Sequence, residues 1–332
     1  MIKRGATNLA VLALGTALAL ASFEGAVRLV FPTFDRSGQF DFTYTVAGNL
    51  VLGQPGAVAR QQKNTGDFDV IVRIGPRGLR DDKDVAGATV DDIAVVGDSF
   101  AWGWGIEDGE RFSDILQGLL GRRVYNVSAP TNLTGYAALL DYAQALGGRF
   151  GRAVVAVCME NDLYDYDTPQ PPPAGGAAEA GWELREWLDR NSAAYFLVTA
   201  TVHQTPWLER IAVRSGVITP NIEGIARNVY SEAAIESSAR KVAELALKSP
   251  KLLVVIIPSR GLWAGNNRAV EEQVHTGFVV ALARRGIDVL DLRPLWKAGG
   301  RPLDYHFAND GHWNARGHRL AAEAIARRLA GN

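Results

Sequence analysis

The sequence predicts an α/β fold in which helices cover both faces of a parallel sheet. From residue 93 onward, short runs rich in valine and isoleucine alternate with segments of helical periodicity. Strands that alternate with helices form crossover units, and strands buried on both faces of a sheet are continuous apolar runs. We expect five such strands, at residues 93–96, 124–127, 153–157, 252–257 and 289–292.

The composition is that of a globular protein with a sizeable core, in one large domain with extensions or in two smaller ones. Of 332 residues, 47% are hydrophobic and 21% are charged, and the formal net charge is −1. Because the chain has no long basic or acidic block, nucleic acid and polyanions are not expected as partners. Cys158 is the only cysteine, which excludes an intrachain disulfide and a cysteine-rich metal site.

The N-terminal segment has the composition of a membrane-targeting helix. Lys3 and Arg4 precede an apolar stretch at residues 9–23. We expect these two basic residues to keep the N-terminus in the cytoplasm, so that the rest of the chain is exported. The expected location is the cell membrane, with the globular domain on the periplasmic or extracytoplasmic side.

The sequence leaves two fates open for this segment. Small residues around Ala21 are typical of a cleavage site, which would make the segment a signal peptide and the product secreted or periplasmic. We favour an uncleaved anchor, because further apolar residues extend the apolar length from roughly 15 residues toward the ~20 that a span needs. These residues are Val27, Leu29, Val30 and Phe31. Glu24 and Arg28, four residues apart, can pair on one face of the same helix.

These patterns divide the chain into three regions. Residues 1–31 are the anchor or signal peptide, and residues 32–92 are expected to be an irregular lead with one short strand at 68–74. Residues 93–332 form the α/β domain, with an insertion at 163–249 between its third and fourth strands. The insertion is expected to form either a lid or wall over Ser99, which follows the first strand, or a packing elaboration away from that residue.

Polar residues that suit acyl-transfer chemistry follow the predicted strands. Ser99 comes directly after the first strand, at the edge where open α/β sheets bind ligands, and Asn161 comes after the third. Asp310 and His312 lie near the C-terminus. A serine, an amide and an acid close to a histidine are the groups that such chemistry uses. A serine in this position also serves as a helix cap, a role that is compatible with catalysis.

These residues lie in motifs that resemble the blocks of the SGNH (GDSL-type) hydrolases. The similarity extends to a bacterial subgroup with an N-terminal membrane segment, and it covers about residue 68 to the end of the chain. It implies a three-layer sandwich around a five-stranded, flavodoxin-like parallel sheet of order 2-1-3-4-5, preceded here by one N-terminal apolar helix. The blocks are Gly78-Leu79-Arg80-Asp81, residues 97–105, Asn126, Asn161-Asp162 and residues 310–318.

The resemblance implies a Ser-His-Asp triad. Ser99 would be the nucleophile and His312 the general base. The family usually has its acid three residues before the histidine, a position held here by Asn309. An amide cannot stabilise imidazolium as a carboxylate does, so we assign the third role to Asp310.

The resemblance also implies an oxyanion hole and a substrate pocket. The hole would consist of the Asn161 side-chain amide and the backbone amides of Ser99 and Thr131, although Thr131 stands where the family has a glycine. Glu160 likewise stands where a glycine often occurs, and it would polarise the pocket. Three tryptophans near these motifs either line the pocket with Glu160 or pack in the core, namely Trp102, Trp104 and Trp313.

His306 and His318 are interpreted as structural or surface residues, and neither a metal nor another cofactor is expected.

The resemblance implies an exported serine esterase or deacylase that acts on O-acyl esters, acetyl esters above all, in a small molecule or a glycan. An alternative is an O-acyltransferase on envelope or exported polysaccharide. A third reading, from another class, is an inactive SGNH-like module that binds a glycan or a partner. The sequence does not indicate an oligomeric state.

Overall fold

The structure is a computed structural model that describes residues 2–36, 38–168, 177–218 and 230–331. Its strands are β1 (Phe42–Val46), β2 (Leu50–Gly53), β3 (Val58–Gln62), β4 (Asp69–Arg73), β5 (Ile93–Gly97), β6 (Val124–Asn126), β7 (Arg152–Cys158), β8 (Leu252–Ile257) and β9 (Asp288–Asp291). Its α-helices are α1 (Ile2–Val30), α2 (Ser99–Trp102), α3 (Phe112–Leu120), α4 (Leu133–Ala145), α5 (Ala177–Asn191), α6 (Ala193–Gln204), α7 (Pro206–Arg214), α8 (Glu232–Ala246), α9 (Arg268–Arg284), α10 (Arg293–Ala298) and α11 (Ala315–Ala330).

The chain divides into two compact units. The larger unit comprises residues 40–62, 67–170 and 219–332, and the smaller comprises residues 1–39, 63–66 and 171–218.

The larger unit is built on a five-stranded parallel sheet with the spatial order β6-β5-β7-β8-β9. Counted along the chain within this sheet, the order is 2-1-3-4-5, which confirms the predicted flavodoxin-like arrangement. The strands alternate between two buried layers: Ala94 and Val96 pack with α4, α8 and α9, whereas Ile93 and Val95 pack with α3 and α11. Both faces are therefore covered, as the continuous apolar runs predicted.

Two antiparallel hairpins precede the sheet in the larger unit. Strand β1 pairs with β2, and β3 pairs with β4. The expectation of an irregular lead across residues 40–67 is therefore wrong, although the short strand expected at 68–74 is present as β4. The physical reason is visible in β1, where half-buried Phe42 and Tyr44 alternate with the exposed Thr43 and Thr45, a pattern typical of a one-sided strand.

The smaller unit joins the N-terminal helix to helices α5, α6 and α7. Residues 171–218 of the expected insertion lie in this unit, whereas α8, also inside 163–249, packs on the sheet of the larger unit. Val27 of α1 is buried against Ala193 and Ala194 at the start of α6. This contact between the N-terminal helix and the insertion was not predicted from the sequence.

Within α1, residues Asn8–Val30 form a helix that is long and apolar enough to cross a membrane. Its large side chains before residue 24 are exposed, with Leu9 at 72% and Leu20 at 63%. The N-terminal apolar helix expected from the sequence is therefore present, and its composition suits either an anchor or a signal sequence.

Candidate active site

Ser99 lies immediately beyond the carboxyl end of β5, as the first residue of α2. The Asp98 carboxylate accepts a hydrogen bond from the Phe100 amide at 2.9 Å, which caps the short helix. Gly97 makes the turn into this helix sterically feasible. A Cβ at that position would lie 2.7 Å from the Ala101 Cβ and 2.9 Å from the Ala156 carbonyl oxygen. The serine is thus held close to the middle of the sheet.

The C-terminal motif brings its histidine to this serine. The Ser99 Oγ lies 2.7 Å from the His312 Nε2, and the His312 Nδ1 is hydrogen-bonded to the Asp310 carboxylate. The same carboxylate oxygen of Asp310 accepts the His312 backbone amide at 3.1 Å. Asn309 is positioned differently, with its backbone amide donating to the Asp67 carboxylate at 3.1 Å. The carboxylate that contacts the histidine is therefore that of Asp310.

Two aromatic rings contact the imidazole of His312. The Trp104 ring stacks on it, with centroids 5.5 Å apart and an interplanar angle of 25°, and the Phe100 ring lies 4.9 Å away. These contacts restrict rotation of the imidazole about its side-chain bonds. Among the expected pocket tryptophans, Trp104 is the one beside the candidate base.

The suggestion that Trp102 and Trp313 line a substrate surface is wrong. Each side chain is only 1% exposed. Trp102 packs against the hairpin residues Phe40 and Phe42, and Trp313 packs in the core against Trp296. The competing interpretation, that packing explains them, holds for both residues.

Asn161 points its amide toward the residue that precedes Ser99. Its Nδ2 donates to the Asp98 carboxylate at 3.1 Å, which leaves the second N–H of the same amide for another acceptor. Asp98 and the neighbouring Asp162 are both buried, and burial raises the pKa of each carboxyl above its ordinary value. The phenol of Tyr136 donates to Asp162 at 2.7 Å and fixes the loop after β7.

Thr131 follows β6, in the position where a glycine was expected. Its side chain lies against Gly135 of α4, where an added Cβ would meet the Thr131 Oγ1 at 2.0 Å. Because Gly135 has no side chain, helix α4 leaves room for the side chain of Thr131 on the loop. Thr131 also lines a cavity of about 670 Å³, together with polar and aromatic side chains that include Asn132, Tyr164 and Tyr166.

Glu160 is not a freely projecting carboxylate, because it is paired with Arg260. It accepts the Arg260 backbone amide at 2.6 Å and the guanidinium through Nε and Nη2, both at 3.2 Å. The guanidinium lies over Gly311, where a Cβ would be 2.3 Å from Nη2. The pair therefore connects the loop after β7 to the residue adjacent to His312. Arg260 was missed in the sequence because it belongs to no recognised motif.

The motif Gly78-Leu79-Arg80-Asp81 supports the turn that carries Ser99. Arg80 is completely buried and donates to the carbonyl groups of Gly103 and Ile106, while its guanidinium covers the Trp102 ring. Asp81 accepts the Asn126 backbone amide at 2.6 Å, and the Asn126 side chain donates to the Ala101 carbonyl at 2.8 Å. The motif was visible in the sequence, but its positioning role was not.

His306 and His318 are buried structural residues. The His306 Nδ1 is hydrogen-bonded to the Gly311 carbonyl at 2.8 Å, and the His318 Nδ1 lies 3.2 Å from the Phe112 amide, from which it accepts. Burial lowers the pKa of His306 to about 4 and that of His318 to about 3. Both rings are therefore neutral at neutral pH.

A family model described as the SGNH hydrolase-like domain of acetyltransferase AlgX matches residues 225–332. No curated protein matches the sequence. Similar solved structures include a lipolytic protein of the G-D-S-L family from Veillonella parvula, at 14% identity over 72% of this chain and 98% of that chain, with a TM-score of 0.43. A lipase/acylhydrolase from Enterococcus faecalis is 10% identical over 72% and 95% of the two chains, with a TM-score of 0.43.

A catalytic mutant of an acetylxylan esterase from Geobacillus stearothermophilus is 11% identical over 73% of this chain and 95% of that chain, with a TM-score of 0.40. The matched residues 225–332 include Asp310, His312 and the last helix, α11. About one third of the chain, at its C-terminal end, is therefore similar to this SGNH hydrolase-like family model.

Proposed function

We propose that this protein is a serine esterase or deacylase that acts on O-acyl esters, with acetyl esters as the expected substrates. The observation that carries the proposal is the continuous hydrogen-bonded series from the Ser99 hydroxyl through His312 to Asp310. This series supplies a nucleophile, a base that removes its proton and a carboxylate that orients the base and stabilises its charged form.

The proposed reaction proceeds through an acyl-enzyme. His312 takes the proton of Ser99 as the Oγ attacks the ester carbonyl, and the resulting oxyanion is bound by the Asn161 amide and the backbone amides of Ser99 and Thr131. Collapse of this intermediate breaks the ester C–O bond, and His312 gives its proton to the leaving alcohol. Water, deprotonated by His312, then attacks the acyl-serine and releases the carboxylic acid.

A second candidate is acyl transfer to a sugar hydroxyl of envelope or exported polysaccharide. The match to a domain described as that of an acetyltransferase favours this candidate. The first half of the reaction is unchanged, and a sugar hydroxyl replaces water as the attacking group. Both reactions use the protein's own side chains and require no cofactor in this scheme.

The proposed setting is the cell membrane, with α1 as an uncleaved anchor and the larger unit on the extracytoplasmic side. The apolar helix Asn8–Val30 supports this setting. Intact-mass measurement on the membrane fraction tests it, because retention of residues 1–21 is expected and their loss would establish a cleaved signal peptide. Protease treatment of sealed spheroplasts should digest the larger unit if it lies outside.

A fluorophosphonate probe tests the enzyme directly. The probe forms a covalent bond between its phosphorus and an activated serine oxygen, with fluoride as the leaving group. We expect labelling of the wild-type protein and none of the Ser99→Ala variant. A folded wild-type protein that takes up no label would instead support the third candidate, a non-catalytic binding module for a glycan or a partner.

Product partition separates the two enzymatic candidates. The protein is supplied with an isotopically labelled acetyl ester and with a polysaccharide acceptor. A hydrolase releases the label as free acetate whether or not the acceptor is present. A transferase moves the label to the polysaccharide, in proportion to the acceptor concentration.

A further inference from the structure

Helix Asn8–Val30 is long enough to cross a membrane, but its apolar part before the first charged residue, Glu24, is shorter than a bilayer core. That part, residues 9–23, contains 15 residues, which corresponds to about 22 Å of helix at a rise of 1.5 Å per residue. The hydrocarbon core of a bilayer is about 30 Å thick. A span shorter than the core draws its flanking residues toward the bilayer. The residues immediately after Phe23 are therefore expected at the lipid interface if α1 is an anchor.

The carboxylate of the first flanking residue, Glu24, is hydrogen-bonded to groups of the protein. Its carboxylate accepts hydrogen bonds from the Ser192 hydroxyl at 2.7 Å and from the Ala193 and Ala194 amides at 2.9 and 3.0 Å. Arg28 donates to the same carboxylate at 2.7 Å. A charged group held in this way is less costly to place in the interface than one that depends on water. These bonds also fix the start of α6 beside the end of the span.

Helix α5 ends at the same place. Arg28 donates to the carbonyl of Asn191, the last residue of α5, at 2.8 Å. Trp187 lies one turn before Asn191, or about 6 Å along the helix axis. Leu184 and Trp187, three residues apart on one helix face, are each 58% exposed. Tryptophan is enriched at the interface between lipid and water.

We propose that the Leu184–Trp187 face of α5 contacts the lipid bilayer beside the N-terminal span. The proposal rests on the proposed anchor role of α1 and adds the bilayer as a partner of the insertion. Helix α5 contains four acidic and two basic residues, so attraction to anionic headgroups does not drive the contact. The driving force is burial of two apolar side chains, and zwitterionic lipid is sufficient.

Site-specific fluorescence on the full-length chain tests this contact. Leu184→Cys is labelled with an environment-sensitive fluorophore and reconstituted into phosphatidylcholine vesicles that contain spin-labelled acyl chains. The native Cys158 is 1% exposed and does not compete for the label. Leu119→Cys on α3 of the larger unit, 52% exposed, serves as the matched control. We expect blue-shifted emission and strong quenching at position 184, and water-like emission without quenching at position 119.

Each other outcome would overturn the proposal. Water-like emission at position 184 in a chain that co-sediments with the vesicles leaves the anchor in place and excludes the contact. Blue-shifted emission without quenching by lipid spin labels would instead identify a second copy or another protein as the occupant. Recovery of the chain outside the vesicles would contradict both the anchor and the contact. Ester hydrolysis by the same sample tests the proposed enzymatic activity, and its result does not depend on whether the chain contacts lipid.

Discussion

At the scale of single residues, the acid of the proposed triad is the position at which the family spacing and the geometry of the structure point to different residues. Asp310 and Asn309 are adjacent, and the usual family spacing points to Asn309. In the structure, the carboxylate of Asp310 meets both the Nδ1 and the backbone amide of His312. A turn that closes on its own histidine allows the acid to stand two residues before the base.

Asp310→Asn should lower kcat for an aryl acetate about 10³- to 10⁴-fold, because an amide favours the wrong imidazole tautomer and does not stabilise the imidazolium. Asn309→Ala is the matched control and should change kcat less than about threefold. Circular dichroism of both variants checks that the fold is intact. A large loss in Asn309→Ala with a small one in Asp310→Asn would show that the acid has been misassigned.

At the scale of secondary-structure elements, the loop after β6 and helix α4 have side chains of complementary size where they meet. Thr131 occupies the space that a side chain at position 135 would need. The loop therefore carries a side chain where a glycine was expected, and the helix carries a glycine beside it. We expect this fit to fix the position of the Thr131 backbone, whose amide belongs to the proposed oxyanion hole.

Gly135→Ala should destabilise the protein by about 1–3 kcal/mol through overpacking against Thr131, despite the better helix propensity of alanine. In a Thr131→Gly background the same substitution should cost at least about 1 kcal/mol less, because the clash is removed. Urea unfolding of the four proteins measures this coupling.

Gly118 of α3 provides the control, since a Cβ there would meet nothing within 4 Å. Gly118→Ala should stabilise the protein by up to about 1 kcal/mol. If Gly135→Ala behaved like Gly118→Ala, the proposed steric match between loop and helix would be refuted.

The elements also show what the sequence could and could not predict. The five strands of the parallel sheet and their order followed from apolar runs and from motif resemblance, because burial on both faces leaves a strong local signal. The two hairpins were missed, since their strands are short and half-buried. The burial of Trp102 and Trp313, the position of Arg260 and the contact of Glu24 with α6 depend on tertiary packing, which no local pattern encodes.

At the scale of the whole molecule, buried ionisable groups determine how stability responds to acid. Burial lowers the pKa of His318 to about 3, compared with an ordinary value of 6.5. Between these values the unfolded chain binds a proton that the folded protein does not, so stability from this group is full above pH 6.5 and is lost as the pH falls. Buried Asp98 and Asp162 have raised pKa values and act in the opposite direction.

A comparison of wild type with His318→Gln isolates the contribution of this histidine to the pH dependence of stability, because Asp98 and Asp162 are present in both proteins. From pH 7.5 to 4.5, the free energy of unfolding of the wild type should fall by about 3 kcal/mol more than that of the variant, since two pKa units correspond to about 2.7 kcal/mol. Urea titrations at the two pH values measure the difference. Equal losses in both proteins would show that His318 does not contribute to acid sensitivity.

The distance along the chain between Ser99 and His312 has a consequence for the timing of activity. The two residues are 213 positions apart, and His312 precedes only α11 in the sheet layer. At a synthesis rate of 5–20 residues per second, the histidine leaves the ribosome about 10 to 40 s after the serine. Throughout that interval the nascent polypeptide carries the serine hydroxyl but not the histidine proposed as its base. The proposed triad therefore cannot form in a precursor that lacks the C-terminal segment.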